Sequence, residues 1–291
     1  MFNIEKYSKV KSVSEAVSLL EKNPRARLIA GGTDVLIRLR EGEEDYTELI
    51  DIHDLAELMD IQKRENGDIS MGAGVTFSQV MENAIIKESI PVIAQAAGTI
   101  GGPQVRNVAT IGGNICNGAI SADSAAALFV LDAVLEIERV NGARELPVRE
   151  FYLGPGRVAL EHGDVLKAII VKQENYAGYG ANYYKYAMRN AMDIATIGCA
   201  ATCKLDGEVI EELKIAFTVA APKPMRAQTA EDGARGKRVT DENIEKIAAL
   251  VMEDLNPRDS WRASKNFRLQ VIRILAKRVI TAAIEDAGVQ R

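Results

Sequence analysis

Leu28-Ile29-Ala30-Gly31-Gly32-Thr33-Asp34-Val35 and Asn107-Val108-Ala109-Thr110-Ile111-Gly112-Gly113-Asn114-Ile115-Cys116-Asn117-Gly118 are the two stretches on which the reading of this chain turns. In each, an apolar strand-like run leads into a Gly-Gly step with a hydroxyl and short polar side chains beside it. Glycine permits positive φ and leaves main-chain N–H groups open to a close ligand, so such a loop suits a diphosphate. Thr33 adds a hydroxyl donor. Asp34 is awkward beside phosphate and is expected to cap the following segment instead. Taken singly, the first motif reads more readily as an ordinary strand-to-helix turn, and the second equally well as a buried crossing of two backbones. Together, with Gly112 80 residues beyond Gly32, they favour a two-sided diphosphate clamp.

The surrounding pattern is α+β. Ser12 and Glu15 form an S-x-x-E cap before Val13, Ala16, Val17 and Leu20, which share one helical face. Asn23-Pro24 ends that helix. Strands follow at Arg27–Ala30 and Glu48–Ile52, a βαβ-like order. Ile69–Gly72 reads as a strand, Thr76-x-x-Gln79 as a second capping box, and 85–99 as partly helical with Pro91 near a helix start. Asp123 or Ser124 is placed to cap the run 125–131. Val134–Val140 and Ala143–Val148 flank Asn141-Gly142, a hairpin signal. A polar, glycine-bearing stretch at 172–181 marks a boundary. Beyond it come a second hairpin around Asp206-Gly207, a helix capped by Thr240, and a helix over about 264–287 with Phe267, Val271, Leu275 and Val279 on one face. The expected division is 1–176, with sublobes of about 1–58 and 59–176, then 177–291.

Composition narrows the function classes. The formal net charge of −5 argues against wholesale nucleic-acid binding. No apolar run reaches membrane-spanning length and the N-terminus has no secretory h-region, so a cytoplasmic location is expected. Three cysteines without a C-x-x-C pair cannot hold a simple iron–sulfur cluster. His53 and His162 stand in polar turns, with no hydrolase or zinc-protease context. Gly72-x-Gly74 lacks the third glycine of a dinucleotide fingerprint, Phe77 standing there. Tyr183-Tyr-Lys-Tyr, at the expected junction, reads either as a plain amphipathic strand or as an aromatic and a cation, Lys185, set beside a flavin.

Taken in order, Ala30-Gly-Gly-Thr-Asp34, Gly102-Pro-Gln-Val-Arg-Asn-Val-Ala-Thr-Ile-Gly-Gly-Asn-Ile115, Lys185-Tyr-Ala-Met-Arg-Asn-Ala-Met-Asp-Ile194 and Ser260-Trp-Arg-Ala-Ser-Lys-Asn-Phe-Arg268 resemble the FAD-binding medium subunits of the molybdenum hydroxylases. The resemblance spans nearly the whole chain and is strongest to the flavin subunits of bacterial xanthine dehydrogenases. It implies a two-lobed FAD-binding (PCMH-type) domain followed by a small domain of antiparallel sheet plus helices. It implies FAD contacts from Arg27, Leu28, Ile29, Ala30, Gly31, Gly32, Thr33 and Asp34, from Ala109, Thr110, Ile111, Gly112 and Gly113, and from Asn114, Asn117 and Asp123. Leu166 corresponds to an apolar contact beside the flavin and Lys185 to a basic residue near it. Ile100 stands where some relatives place an aromatic against the ring. The implied partners are a molybdenum-cofactor-binding large subunit and a [2Fe-2S] small subunit. Electrons pass through FAD to NAD as the expected acceptor, in purine metabolism if the substrate is xanthine. Nicotinate, an aldehyde or CO are alternative substrates, and a self-contained FAD-dependent reductase of the related fold is an alternative function. No side chain of this chain is expected to act as an acid or base.

Overall fold

The computed structural model describes residues 3–288. Its first unit is a three-stranded parallel sheet of β1 (Lys6–Lys9), β2 (Arg27–Ile29) and β3 (Glu48–Asp51), ordered β1-β3-β2. Helix Val13–Lys22 makes the first crossover. Ser12 accepts from Glu15 N at 3.1 Å, but the Glu15 carboxylate turns to Lys11 N at 2.8 Å rather than back to the cap, so the box is half closed. Val13, Ala16, Val17 and Leu20 are buried, as their spacing requires.

The second unit is a five-stranded antiparallel sheet. It contains β4 (Ile61–Lys63), β5 (Ile69–Gly72), β6 (Val134–Glu138), β7 (Arg144–Pro147) and, after a short ribbon of β8 (Tyr152–Gly154) and β9 (Arg157–Val158), β10 (Val165–Val171). The order is β4-β5-β10-β6-β7. Helices Phe77–Glu82, Ala84–Ser89, Pro91–Gly98 and Asp123–Val130 share its core. The Thr76 box is complete: Thr76 Oγ1 accepts from Gln79 N at 3.3 Å and Gln79 Oε1 from Thr76 N at 2.9 Å.

The third unit is an antiparallel sheet of β11 (Tyr179–Tyr186), β12 (Ile197–Asp206), β13 (Val209–Thr218) and β14 (Met225–Arg226), in that order. One face meets helices Gln228–Ala234, Asp241–Leu250 and Lys265–Asp286 through Cys199, Ala201, Ile215 and Phe217. The other meets the second unit through Ala181, Tyr183, Ala200 and Ala216. Because both faces are covered, Ile197–Cys203 is buried without alternation.

Two helices differ from their sequence expectation. The helix expected to be capped by Asp123 or Ser124 has Ala122 at its cap position with no side-chain cap bond, because both side chains are engaged elsewhere. Phe267 does not join Val271, Leu275 and Val279 in the core. It sits in the first turn of its helix, exposed, with its ring beside Tyr186. Among the described residues no helix is long and apolar enough to cross a membrane.

The second and third units are clamped by Asp132, which follows helix Asp123–Val130 at φ +43°. Its carboxylate meets Lys214 Nζ at 2.9 Å, Arg226 at 2.7 Å and Arg149 at 3.5 Å. Burial opposes ionisation there, but the Arg226 and Lys214 charges outweigh it and hold the carboxyl below its ordinary range.

Candidate functional site

The two Gly-Gly stretches lie together. A Cβ on Gly31 would stand 1.8 Å from the Val108 carbonyl oxygen, so the chain crosses itself there at a distance only glycine allows. Gly32 has φ +71°. Among the described residues, the main-chain N–H groups of Gly31, Gly32, Thr33 and Asp34 have no protein acceptor. Four successive free donors beside a left-handed glycine form a concave anion-binding backbone.

The second stretch behaves differently. Ile111 N donates to the Val75 carbonyl at 3.0 Å, Gly112 N to the Ala73 carbonyl at 2.9 Å, and Gly113 N to Thr110 Oγ1 at 3.0 Å. These three N–H groups are therefore spent within the protein. A Cβ on Gly112 would meet the Ala73 side chain and carbonyl at 2.6 Å, so this glycine serves a backbone crossing. Gly113 is exposed, and a Cβ there would touch only Thr110 Oγ1. It leaves one face of helix Ile111–Cys116 bare, one turn before Asn117.

Asn117 joins the stretches. Its Nδ2 donates to Asp34 Oδ1 at 3.1 Å, and Arg38 donates to its Oδ1 at 3.4 Å. Asp34 occupies the cap position of helix Val35–Arg40 but makes no cap bond, so the expected capping role gives way to this contact. Burial raises the Asp34 carboxyl above its ordinary value, against the pull of Arg38 and Asn117. A more readily protonated carboxyl beside free N–H donors is less adverse to an anion than a fully charged one. Arg38, four residues after Asp34 on the same short helix, was not singled out by sequence, although the i,i+4 spacing carries the signal.

Beyond helix Ile111–Cys116 the polar residues form a chain. Ser124 Oγ donates to Asn114 Oδ1 at 2.7 Å. Its neighbour Asp123 is buried and accepts from Lys185 Nζ at 2.7 Å and Tyr183 OH at 3.1 Å. Lys185 Nζ also donates to the Thr99 carbonyl at 3.0 Å, next to Ile100. Burial raises the Asp123 carboxyl, while Lys185 and the Tyr183 hydrogen bond oppose the rise. Lys185 and Asp123, expected as separate cofactor contacts, thus form one buried ion pair. Ile100 is buried, and its carbonyl accepts from Arg106 at 3.0 Å. Leu166 is buried at the β10 bulge, where the next carbonyl, that of Lys167, accepts from Ala73 N at 2.9 Å. Ala73 in turn underlies Gly112. Leu28 and Ile29 lie half-buried on β2 and lead into Ala30 and the loop, whereas Arg27 is exposed at the far end of that edge strand. The structure therefore brings the Gly31–Asp34 loop to Val108, Ala109 and Asn117, links Asp123 to Asn114 through Ser124 and to Lys185 directly, sets Ile100 beside Thr99 and Leu166 beside the Lys167–Ala73 bond, and leaves Arg27 apart.

A run of free N–H groups at Gly31–Asp34, crossed by Val108 and tied to helix Ile111–Cys116 through Asn117, suits a diphosphate. Residues 2–172 match the family model described as the FAD binding domain in molybdopterin dehydrogenase, and residues 182–283 that of the CO dehydrogenase flavoprotein C-terminal domain. The xanthine dehydrogenase FAD-binding subunit of Escherichia coli O157:H7 is 46% identical over 288 residues, 99% of either chain. The chain belongs to the FAD-binding medium subunits of the molybdenum hydroxylases. This medium subunit is also 33% identical to the glyceraldehyde dehydrogenase medium chain of Sulfolobus acidocaldarius, over 92% of this chain and 94% of that one. It superimposes on a chain of the carbon monoxide dehydrogenase of Hydrogenophaga pseudoflava with a TM-score of 0.93 at 31% identity, covering 98% of this chain and 99% of that one.

Proposed function

We propose that the chain is the flavin subunit of a xanthine dehydrogenase-like complex in the cytoplasm. In this reading a large subunit oxidises a purine at its molybdenum centre and a small subunit relays the electrons through [2Fe-2S] clusters. They then pass through FAD on this chain to NAD. The observation that carries the flavin role is the run of four unclaimed N–H groups at Gly31–Asp34 beside the Gly31–Val108 crossing. The 46% identity along the full chain supports the purine substrate.

Within that reading, Gly31, Gly32, Thr33 and Asp34 hold the diphosphate through main-chain N–H groups, with Leu28, Ile29 and Ala30 leading in and Arg27 at the rim. The segment from Ala109 to Gly113 supports that loop from below, and Gly113 gives the cofactor a face without side chains. Asn114, Asn117 and Asp123 offer polar contacts, while Leu166 and Ile100 exclude water from the ring. Lys185 supplies a cation near the reduced ring system, its charge partly offset by the Asp123 carboxylate. Bound FAD supplies the switch between one- and two-electron transfer, and the chain supplies position and electrostatics. A division at 176/177, with sublobes 1–58 and 59–176 and a C-terminal part 177–291, is the working boundary. It falls between β10 and β11, where the second sheet ends and the third begins.

The test is direct. The chain should carry flavin with absorption near 450 nm (roughly, a property of the cofactor), and Gly32→Val should lose most of it. In the assembled complex, xanthine should bleach that band and NAD should restore it. Bleaching by an aldehyde or CO but not xanthine would overturn the substrate. A folded chain that takes up no FAD would overturn the flavin role.

A further inference from the structure

The turn that precedes helix Lys265–Asp286 is unusual. Ser260 and Ala263 pair across it, Ser260 N donating to the Ala263 carbonyl at 3.0 Å. At its tip stands Trp261, the only tryptophan of the chain, with 80% of its surface exposed. The Arg262 guanidinium lies 4.2 Å from the centre of the indole ring. Phe267 is exposed in the first helical turn and packs its ring on Tyr186, and Ile194 is exposed nearby in chain order to Thr196.

Beneath this apolar surface the charges are not balanced. Arg268 is 2% exposed, and its partners are neutral, the Thr196 carbonyl and Ser260 Oγ. The charges that bear on it are those of Arg258 and Arg262, against Asp259 alone, and Asp259 is engaged with Lys265 N at 2.6 Å. Among the described residues, the buried atoms Arg262 Nε, Arg268 Nε and Thr196 Oγ1 find no hydrogen-bond partner. Residues 256–268 hold Arg258, Arg262, Lys265 and Arg268 against Asp259, four positive charges less one negative or +3, in a chain of net charge −5.

We infer that this face is a docking surface for a carboxylate-bearing segment of another subunit of the complex. The inference rests on the subunit reading above. Exposed Trp and Arg beside apolar rings are the residue types that dominate binding energy at protein interfaces, and the exposed Arg258 and Lys265 and half-buried Arg262, with Arg268 beneath them, present positive charge that a carboxylate complements. A second copy of this chain, meeting it face to face, would set +3 against +3. A small inorganic anion would satisfy the arginines but leave Trp261 and Phe267 in water. An acidic segment with apolar neighbours satisfies both.

The complex should be isolated through a tag on this chain, from cells that make all its subunits, and footprinted with hydroxyl radicals beside the isolated chain. Trp261 should be oxidised at least about fivefold more slowly in the complex, the burial expected of an interface anchor. A photo-crosslinker at position 267 should capture another subunit at a peptide containing Asp or Glu. Arg262→Glu should weaken assembly about tenfold or more and change its salt dependence, as for a charge at an interface, with flavin content per chain unchanged. Trp261→Ala should weaken assembly without changing the salt dependence. A flavin-bearing complex in which Trp261 is oxidised as fast as in the isolated chain would overturn the docking face alone. So would a crosslink to a second copy, or to a segment without acidic residues. A chain isolated without flavin or companions would overturn the subunit reading together with this surface.

Discussion

Gly31 and Gly113 carry different duties, and a single methyl tells them apart. Gly31→Ala would drive a Cβ to 1.8 Å from the Val108 carbonyl, whereas Gly113→Ala meets only the Thr110 hydroxyl at 2.9 Å. Gly31→Ala is expected to cost about 3 kcal/mol or more, the upper range for overpacking, and to lower FAD uptake with it. Gly113→Ala should fold with near-native melting and lose flavin affinity only. Thermal melts and flavin titration of the two variants separate these outcomes. The buried Asp123–Lys185 pair gives a pH test. Lys185→Met strands the carboxyl and should destabilise the chain by roughly 3–5 kcal/mol at neutral pH. The carboxyl is already raised by burial, and loss of the lysine raises it further. A group whose folded value lies above its unfolded one gives its full stability below the unfolded value, near 4, and loses it as pH rises through the folded value. The deficit of Lys185→Met should therefore grow as pH climbs from about 4 toward 7, and Asp123→Asn/Lys185→Met should remove that slope. The glycine loops were legible in sequence only as a pair, since either one alone also reads as a turn or a backbone crossing. The pairing of Asp123 with a lysine 62 residues away was not, since only the docking of two sheets brings them together.

Among the elements, the hairpins at Asn141-Gly142 and Asp206-Gly207 and the capped helices announced themselves through local chemistry. Six strands did not: β8, β9 and β14 are only two or three residues long, and β1, β4 and β10 each have a further reason. Lys6–Lys9 has no apolar alternation, because β1 is largely exposed and held by its parallel register with β3. Ile61–Lys63 is too short to show a period. Val165–Val171 is a continuous apolar run broken by Lys167, and such a run is ambiguous between strand and helix until its neighbours β5 and β6 are known. Phe267 was misplaced because a helical period marks a stripe without saying where the stripe leaves the sheet it covers. The contact between helix Asp123–Val130 and the third sheet is held at its end by Asp132. Asp132→Ala should cost on the order of 3 kcal/mol, since Lys214 and Arg226 would lose a shared carboxylate. Its folded value is depressed, so the stability it gives is present above the unfolded value, near 4, and is lost as pH falls through the folded one. Urea unfolding of the parent chain should show that acid-limb loss, and Asp132→Asn should flatten it.

At the scale of the molecule, flavin binding and stability are linked. FAD at about a hundredfold excess over its Kd should stabilise the chain by roughly 2.7 kcal/mol, a shift of several degrees in melting temperature. Stripping the flavin should reverse the shift, and Gly32→Val should abolish it. An α+β part followed by a smaller sheet-plus-helix part was readable from the order of motifs, and the two lobes came from the family resemblance, but the sharing of one core by the second and third sheets was not legible. That sharing has a consequence for how such subunits change over time. β11 brings Tyr183 and Lys185 to Asp123, and Gln95 of the preceding unit accepts from Tyr183 N at 2.8 Å. A recombinant that took its last hundred or so residues from a distant cousin would import the cation along with the strand (order-of-magnitude, as domain exchange goes). The two halves must therefore be inherited as a matched set, and drift in either is answerable to the carboxylate of the other.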